Sequence, residues 1–185
     1  TVRVNHNLQK QPGFLVTKQT TPGGTWFTWH PILNRNEVLK LNTSDQKQTY
    51  GGDVWTLTDE YFEYDASYIN AQGDLVAYIW AQTSDYVLTG SYQGDGSTIN
   101  IECGFEPGLV LIKCVTTGED WYLFDKNNYQ AGASISPNTT GQFKDIGGFS
   151  FYNTGFTVVG PAGEINYNGR TYAYMAISNT ALTDL

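Results

Sequence analysis

An internal repeat constrains the fold of this chain more than any other feature of its sequence. Residues recur at a constant displacement of 96 positions, since Ile69, Asn70, Gly73, Ala77 and Tyr78 return as Ile165, Asn166, Gly169, Ala173 and Tyr174. Self-similarity of this kind indicates copies of one structural unit. We therefore predict two tandem homologous units, residues 1–82 and 83–185.

The second unit opens with a stretch that the first unit lacks. Residues 86–92 form a strand-like pattern and precede the turn signal Gly-Asp-Gly at residues 94–96. We expect Thr1 to lie within a repeat unit that misses its opening strand. The chain is then a fragment of a longer polypeptide, which we favour, or a processed product, or a neighbouring subunit supplies the missing strand.

Strand patterns dominate both units. Alternating or β-branched stretches punctuated by Gly, Asn, Asp and Pro occur at residues 98–103, 109–115, 121–125, 149–152, 156–159 and 171–177. Short helical turns are expected only within residues 31–41 and 126–134. The pattern predicts an all-β fold of two β-sandwich units of the jelly-roll or lectin-like kind.

The composition excludes several classes of protein. Charged residues and aromatic residues each make up 15% of the chain, which is unlike a disordered polyelectrolyte or a long-helix protein. The net charge of −8 has the wrong sign for a phosphate backbone, so we predict no nucleic-acid partner. The longest apolar runs, such as residues 108–112, are far below the roughly 20 residues that span a bilayer, which predicts no membrane insertion.

The two cysteines, Cys103 and Cys114, allow a disulfide, a pair of inert core thiols or half of a metal site. We favour inert core thiols, because free cysteine is commonly buried. Zinc needs more ligands, and the two histidines, His6 and His30, lie in the other half of the chain. We predict neither a metal site nor a cofactor.

Catalytic constellations are sparse. His30 precedes Pro31 and is expected at the end of a strand, with no motif that supplies a nucleophile. The acidic residues Asp59, Glu60, Glu63 and Asp65 offer carboxylates for glycoside hydrolysis. A solvated acidic edge that discourages strand-to-strand aggregation explains them equally well. We predict that the protein is not an enzyme and assign no catalytic residue.

Two polar triplets occupy equivalent places in the repeat, Asn-Thr-Ser at residues 42–44 and Asn-Thr-Thr at residues 138–140. They match a glycosylation pattern, but their equivalence favours a structural role in which the Asn side chain bonds to the backbone of a turn. Acidic loops at residues 94–96 and 118–120 lack the ligand spacing of a calcium-binding EF-hand.

The aromatic residues fall into two groups, those kept in both units and those found in the first unit alone. Three pairs keep a ring in both units and are predicted to pack in the core: Trp26 with Trp121, Trp29 with Phe124, and Trp55 with Phe151. Four aromatic residues belong to the first unit alone, namely Tyr61, Tyr64, Tyr68 and Trp80. We predict that they form an interaction surface for sugars or proteins, with filling of the join between the units as the alternative.

Several segments carry a resemblance to a known family. They are GFEPGLVLIK at residues 104–113, WYLFD at 121–125, SPNTT at 136–140, FSFYNTGFTV at 149–158 and YAYMA at 172–176. They resemble an uncharacterised β-sandwich repeat common in virion proteins of tailed phages, especially marine phages. The resemblance runs from about residue 86 to residue 177 and is looser in the first unit, at residues 26–29, 42–44 and 76–80.

The chain departs from that family at three positions. Family members tend to have an acidic residue at the place of Gly108, and a Trp at the places of Leu111 and Ala176. Trp80 keeps that last Trp in the first unit. The family offers no catalytic residue to carry over, and these departures prevent carrying over a binding residue.

The resemblance implies a structural role on a virion, exposed on the extracellular particle after assembly in the host cytoplasm. The first hypothesis is a part of a tail fibre or tail appendage that contacts host-surface glycans, where many copies convert weak contacts into avidity. The alternative is a capsid decoration or head fibre protein. A third hypothesis, from another class, is a glycan-degrading enzyme that uses Glu63 or Asp65. The expected partners are further copies of the chain and other virion proteins.

Overall fold

A computed structural model describes residues 1–20, 23–69, 74–83, 85–128, 133–140, 143–160 and 164–180. The strands of the first half are β1 (Val2–Asn5), β2 (Pro12–Gln19), β3 (Trp26–Trp29), β4 (Glu37–Lys40), β5 (Gln48–Thr49), β6 (Trp55–Leu57), β7 (Tyr61–Tyr64) and β8 (Leu75–Ala81). Those of the second half are β9 (Val87–Gln93), β10 (Thr98–Glu102), β11 (Pro107–Cys114), β12 (Trp121–Asp125), β13 (Ala133–Ser134), β14 (Lys144–Asp145), β15 (Phe149–Tyr152), β16 (Gly155–Val159) and β17 (Thr171–Ser178).

The predicted all-β class is confirmed, and the strands form several antiparallel sheets consistent with β-sandwich packing. Four larger sheets have the orders β1-β7-β6, β5-β4-β3-β2-β8, β12-β11-β17-β9 and β10-β16-β15, and β13 pairs with β14 in a small ribbon. Within the described ranges, the single 3-10 turn Lys126–Asn128 is the one helical element. No helix in that part of the chain is long and apolar enough to span a membrane.

The sheet that contains β11 and β17 separates two cores. Leu111, Ala173 and Met175 face the first-half sheets, whereas the neighbouring residues Val110 and Tyr174 face β10, β15 and β16. This alternation is expected because successive side chains of a strand point to opposite faces. The four larger sheets therefore stack as layers, with a sheet from each half meeting in the middle.

The two central sheets, β5-β4-β3-β2-β8 and β12-β11-β17-β9, share a pairing pattern around one strand each. β2 lies between β3 and β8, as β11 lies between β12 and β17. Pro12 pairs with Ala81 and Pro107 pairs with Ser178, and each pair is followed at once by a shift in register. β17 additionally pairs with β9 on its other side, whereas β8 is the last strand of its sheet among the described residues.

One predicted helical turn is wrong and the other is confirmed. Residues 31–41 contain turns followed by strand β4, in which Leu39 is almost fully buried and pairs with Thr28. Pairing and burial of Leu39 in the sheet outweigh the weak local helical preference. The second turn is present at Lys126–Asn128, within the expected range of residues 126–134.

Most of the shared aromatic residues pack in the core as predicted. Trp29, Trp55, Trp121 and Phe124 are 5% exposed or less, whereas Trp26 and Phe151 are half-buried at the margins of the cores. Both cysteines are free and buried. Burial raises the pKa of the Cys103 thiol to about 12, which disfavours the nucleophilic thiolate and agrees with an inert core thiol.

The two Asn triplets tie a loop to the start of a strand. Asn42 Oδ1 accepts a hydrogen bond from the backbone N–H of Trp26 at 3.0 Å, and Asn138 Oδ1 accepts one from that of Trp121 at 2.9 Å. The predicted side-chain bond to the backbone is confirmed, but it reaches a neighbouring strand rather than closing the local turn. Asn138 Nδ2 also donates to Asp120 Oδ1 at 2.7 Å.

We expect Asn138→Ala to lower the free energy of unfolding by about 1–2 kcal/mol. The variant removes the acceptor of the Trp121 N–H and the donor to Asp120 Oδ1. The matched variant Asn42→Ala is expected to cost less, since Asn42 is exposed and, within the described part of the chain, its side chain bonds to Trp26 alone. Urea unfolding of both variants measures the difference. Equal losses in the two variants would contradict the role assigned to the Asp120 contact.

Candidate functional site

Strand β7 divides two of the predicted interaction residues between opposite faces. Tyr64 points inward and is 6% exposed in the first core, together with Phe62. Tyr61 and Glu63 point outward, where the Arg3 guanidinium lies 3.8 Å from the Tyr61 ring centroid and 2.8 Å from Glu63 Oε1. The period of two along the strand makes this separation unavoidable.

Tyr68 and Trp80 lie in two further environments. The Tyr68 ring is 5.1 Å from the ring of Tyr50, at the end of β5. The Trp80 ring is 5.7 Å from that of Phe14 and packs against the first core. The structure therefore distributes the four aromatic residues and does not bring them onto one face. Their role in binding remains a prediction, and only Tyr68 lies beside the groove described next.

An open groove of about 710 Å³ follows residues 45–50 at the contact between the two halves. Its lining is largely polar and consists of Asp45, Gln46, Lys47, Gln48, Thr49, Tyr50 and Gly118. The Lys47 N–H donates to the Val115 carbonyl oxygen, which attaches this segment to the end of β11. Two hydrogen bonds hold Tyr50 to Asn36. The Tyr50 N–H donates to the Asn36 carbonyl oxygen, and Asn36 Nδ2 donates to the Tyr50 carbonyl oxygen. These bonds hold the groove between strand β5 and the second half.

The charged residues of the groove are paired with neighbours. Lys47 Nζ lies 2.7 Å from Glu37 Oε1, and Lys40 Nζ lies 3.7 Å from Asp45 Oδ2. Gln48 Nε2 donates to Asp45 Oδ2 at 3.4 Å. Burial opposes ionisation of Glu37, but its bonds to Lys47 and Asn34 prevail and lower the pKa of its carboxyl. The groove therefore offers amides and hydroxyls with little unbalanced charge.

An aromatic pair borders the groove. Tyr50 and Tyr68 are tilted by 48° and both are half-buried, so each keeps part of its ring at the surface. Burial raises the pKa of Tyr50, which keeps its hydroxyl neutral. Sequence reasoning did not identify Tyr50 or the glutamines beside it, because the groove is completed by Gly118 and Tyr68 from distant parts of the chain. The polar run at residues 45–49 before Gly51-Gly52 was the one local signal.

Two buried polar side chains lie where the halves meet. His30 follows the end of β3 as predicted, and its Nδ1 accepts from the Ile32 N–H at 3.1 Å. The other nitrogen, Nε2, therefore carries the proton and donates to the Tyr174 carbonyl oxygen at 3.0 Å. Burial lowers the pKa of His30 to about 4. A fixed neutral tautomer with both nitrogens bonded to backbone has a structural role.

Lys113 is the second buried polar residue of this contact. Its ammonium donates to the carbonyl oxygens of Ser44, at 3.0 Å, and of Glu119. Burial lowers its pKa to about 8. The indole N–H of Trp121, beside it, donates to the Lys40 carbonyl oxygen at 2.8 Å. The carbonyl oxygens of Lys40 and Ser44 thus accept hydrogen bonds from side chains of the second half. These bonds give Lys113 and the Trp121 indole a structural role in the contact between the halves.

Several of the acidic residues singled out from the sequence are engaged in local bonds. Asp65 accepts from the N–H and the hydroxyl of Ser67, and these bonds lower the pKa of its carboxyl. Asp95 bonds to Ser97 in the same way, and the loop at residues 118–120 is held by contacts to Arg170 and Asn138. In the described ranges no group of His, Cys, Asp and Glu is arranged to hold a metal ion.

Comparison with known proteins gives one match. A family model described as a domain of unknown function (DUF7483) covers residues 1–180. No curated protein and no solved structure matches the chain. The match spans both halves of the molecule, including the groove and the join between the central sheets.

Proposed function

We propose that this chain, which belongs to the DUF7483 family along residues 1–180, is a non-enzymatic structural module of a tailed-phage virion that contacts host-surface glycans. The virion assignment is supported by the resemblance of residues 86–177 to phage virion repeats. The layered antiparallel architecture suits an exposed appendage, because loops on a rigid β scaffold tolerate variation while the sheets keep their geometry.

The two tandem homologous units are part of this proposal. The common pairing order of β2 and β11 supports them, as does the shared register shift after Pro12 and Pro107. Leu15 pairs with Ile79 where Val110 pairs with Ala176, so Ile79 rather than Trp80 occupies the place of Ala176. This pairing register differs by one residue from the sequence alignment, in which Ala77 and Tyr78 match Ala173 and Tyr174.

The groove at residues 45–50 is the observation that carries glycan contact. Sugar hydroxyls both donate and accept hydrogen bonds, and the side chains of Gln46, Gln48 and Thr49 offer both functions. Pairing of Lys47 with Glu37 and of Asp45 with Lys40 leaves little net charge, which favours a neutral glycan. The Tyr50 ring supplies an apolar edge against which a sugar ring can stack.

Saturation-transfer NMR with a panel of neutral oligosaccharides tests this site on the full chain. We expect binding, and we expect Gln46→Ala combined with Gln48→Ala to weaken it about thirtyfold, because each of the two lost hydrogen bonds costs about 1 kcal/mol. The matched control is Asn100→Ala, an exposed polar residue on β10 in the outermost layer of the second half. Absence of binding across the panel, or unchanged affinity in the double variant, contradicts the groove assignment.

A reconstruction of the intact particle tests the virion assignment separately. A position on a fibre or tail appendage with residues 45–50 facing solvent supports host contact. A position flat on the capsid with those residues buried supports the decoration role and removes glycan contact. Absence of the chain from the particle contradicts the virion assignment itself.

The carboxylates argue for a binding module over a glycosidase. A glycosidase needs a carboxylic acid whose pKa is raised, so that it holds a proton at the working pH. The pKa of Asp65 is lowered by Ser67, and Glu63 is paired with Arg3 on the outer face of β7. Sugar cleavage that disappears in Glu63→Gln or Asp65→Asn would overturn the non-enzymatic proposal.

A further inference from the structure

Strand β8 is an edge strand among the described residues. It pairs with β2 on one side, and no described strand pairs with its other side. Its sequence, LVAYIWA, contains neither a charged residue nor a proline, which are the usual features that keep a free edge from pairing. Val76 and Tyr78 are 41% and 49% exposed. This edge is therefore suited to accept another strand.

The hydrogen-bond alternation identifies the backbone groups at the open edge. Thr20 N donates to the Asp74 carbonyl oxygen at 3.0 Å, so Asp74 and every second residue after it direct their backbone groups toward β2. The N–H and C=O groups of Leu75, Ala77 and Ile79 consequently point away from β2. Three residues of β8 thus present donors and acceptors to an incoming strand.

Strand β17 shows what covers an edge of this kind. Its residues Tyr172, Tyr174 and Ala176 pair with Tyr92, Gly90 and Leu88 of β9. By the pairing with β2 and β11, these β17 residues correspond to Leu75, Ala77 and Ile79 of β8. The β9 residues opposite them share one face, and the intervening Thr89 and Ser91 are polar. The covering strand is therefore antiparallel, with alternating apolar and polar side chains.

We propose that β8 binds an extended antiparallel strand of another polypeptide, apolar opposite Leu75, Ala77 and Ile79 and polar between them. The inference rests on the equivalence of the two halves proposed above and is independent of glycan contact. One position sets its specificity. A Cβ at Gly90 would lie 2.5 Å from the Tyr174 hydroxyl, so a larger residue there would displace the Tyr174 ring. Ala77 occupies the corresponding place in β8, so the incoming strand meets a smaller side chain there than Gly90 meets at Tyr174.

Hydrogen exchange of the full chain with synthetic peptides tests the proposal. The probes are the peptide of residues 86–93 and the same peptide carrying Gly90→Val. We expect both to slow exchange of the Leu75, Ala77 and Ile79 amides in a saturable manner. The Gly90→Val peptide is expected to bind at least about threefold more tightly, because it buries additional apolar groups against Ala77. Unchanged exchange at these amides at millimolar peptide, or tighter binding by the parent peptide, overturns the proposal.

Methylated peptides supply a matched control that leaves the protein unaltered. In the register of β9, the N–H of position 90 donates to β8, whereas that of position 89 points away. N-methylation at position 90 is expected to weaken binding about tenfold and N-methylation at position 89 to leave it unchanged. Ala77→Pro is expected to abolish binding and to spare the β2 ladder, because the Ala77 N–H faces the open edge.

Two outcomes of the control overturn the proposal in different ways. Equal binding by the two methylated peptides means that contact does not occur through strand addition. Slow exchange of the β8 amides without peptide, together with a concentration-dependent dimer mass, means that a second copy of the chain occupies the edge. Neither outcome affects the oligosaccharide measurement, so failure here is distinguishable from failure of the groove.

Discussion

Trp121→Ala is expected to lower the free energy of unfolding by about 3–5 kcal/mol, the usual cost of removing a buried Trp side chain from a core. Trp121 is 2% exposed and lines the contact between the central sheets with Phe14, Leu111 and Met175. The space between these side chains is too small for a water molecule, so a large deletion leaves a cavity that water does not already fill. The variant also leaves the Lys40 carbonyl oxygen without the indole donor.

The first half provides a matched control, Trp26→Ala. Trp26 begins β3 as Trp121 begins β12, and it has an Asn acceptor for its N–H and a lysine ammonium near its ring, 5.2 Å from the centroid. It is only half-buried, so we expect a loss of about 1–2 kcal/mol. Chemical denaturation of both variants measures the difference. Similar losses would mean that the contact between the halves contributes little to stability.

The fold class and most strand positions were predictable because their signals are local. Residues 98–103 and 171–177 are rich in β-branched and aromatic side chains, and the observed β10 and β17 differ from those ranges by a residue or so at each end. The prediction of a helical turn within residues 31–41 was wrong for the opposite reason. Its local pattern is ambiguous, and pairing of Leu39 with Thr28 in the sheet decides its conformation.

The way in which the two halves meet was not predictable from the repeat. A repeat shows that two segments are alike, but it does not show which faces they bury against each other. The uninterrupted apolar run of β11 is consistent with a sheet covered on both sides, as the structure has it. His30 and Lys113 lie inside that contact because backbone carbonyl oxygens of the opposite half accept hydrogen bonds from them, and no local sequence pattern predicts such partners.

The candidate site was not predictable from the sequence, for a related reason. Comparison of positions in the proposed repeat indicated that Tyr64 belongs to the first half alone, but strand alternation directs it inward beside Phe62. The groove instead combines β5, Gly118 and the neighbouring Tyr68 ring, which the chain brings together only through tertiary packing. Composition of residues 45–50 indicates a polar loop, and only the three-dimensional arrangement makes it concave.

The stability of the protein is expected to fall as the pH is lowered from about 6.5 to about 4, owing to His30. Its pKa in the folded state is about 4, below the ordinary value of 6.5, because burial disfavours the imidazolium. The unfolded chain therefore binds a proton in this range and the folded chain does not. Stability is complete above pH 6.5 and declines toward pH 4, and the separation corresponds to about 3 kcal/mol.

The surroundings of His30 leave no favourable state for the added proton. Its Nδ1 faces the Ile32 N–H, so protonation would place two donors against each other. The described side chains that line the contact beside it are Phe14, Leu39, Leu111, Trp121, Ala173, Tyr174 and Met175, and none carries a carboxylate. Tyr174 is the one titratable neighbour among them, and burial raises its pKa to about 12.

Carboxyl groups act in a lower pH range and can be separated from His30. The pKa values of Glu37, Asp65 and Asp95 are lowered from ordinary values of 4.5 or less, so their contributions are lost only below about pH 4.5. Urea unfolding at pH 7, 6 and 5 therefore isolates the histidine effect. His30→Gln is expected to be less stable at pH 7 and nearly independent of pH across this range.

The control His6→Gln removes the other histidine of the chain and retains His30. It is expected to keep the slope of stability against pH that the unaltered protein shows. A flat profile in the unaltered protein, or the same slope in His30→Gln, would contradict the assignment. Because the bond from His30 to Tyr174 joins the two halves, a confirmed slope means that unfolding, which breaks this contact, becomes easier before the pH reaches the range in which Glu37, Asp65 and Asp95 act.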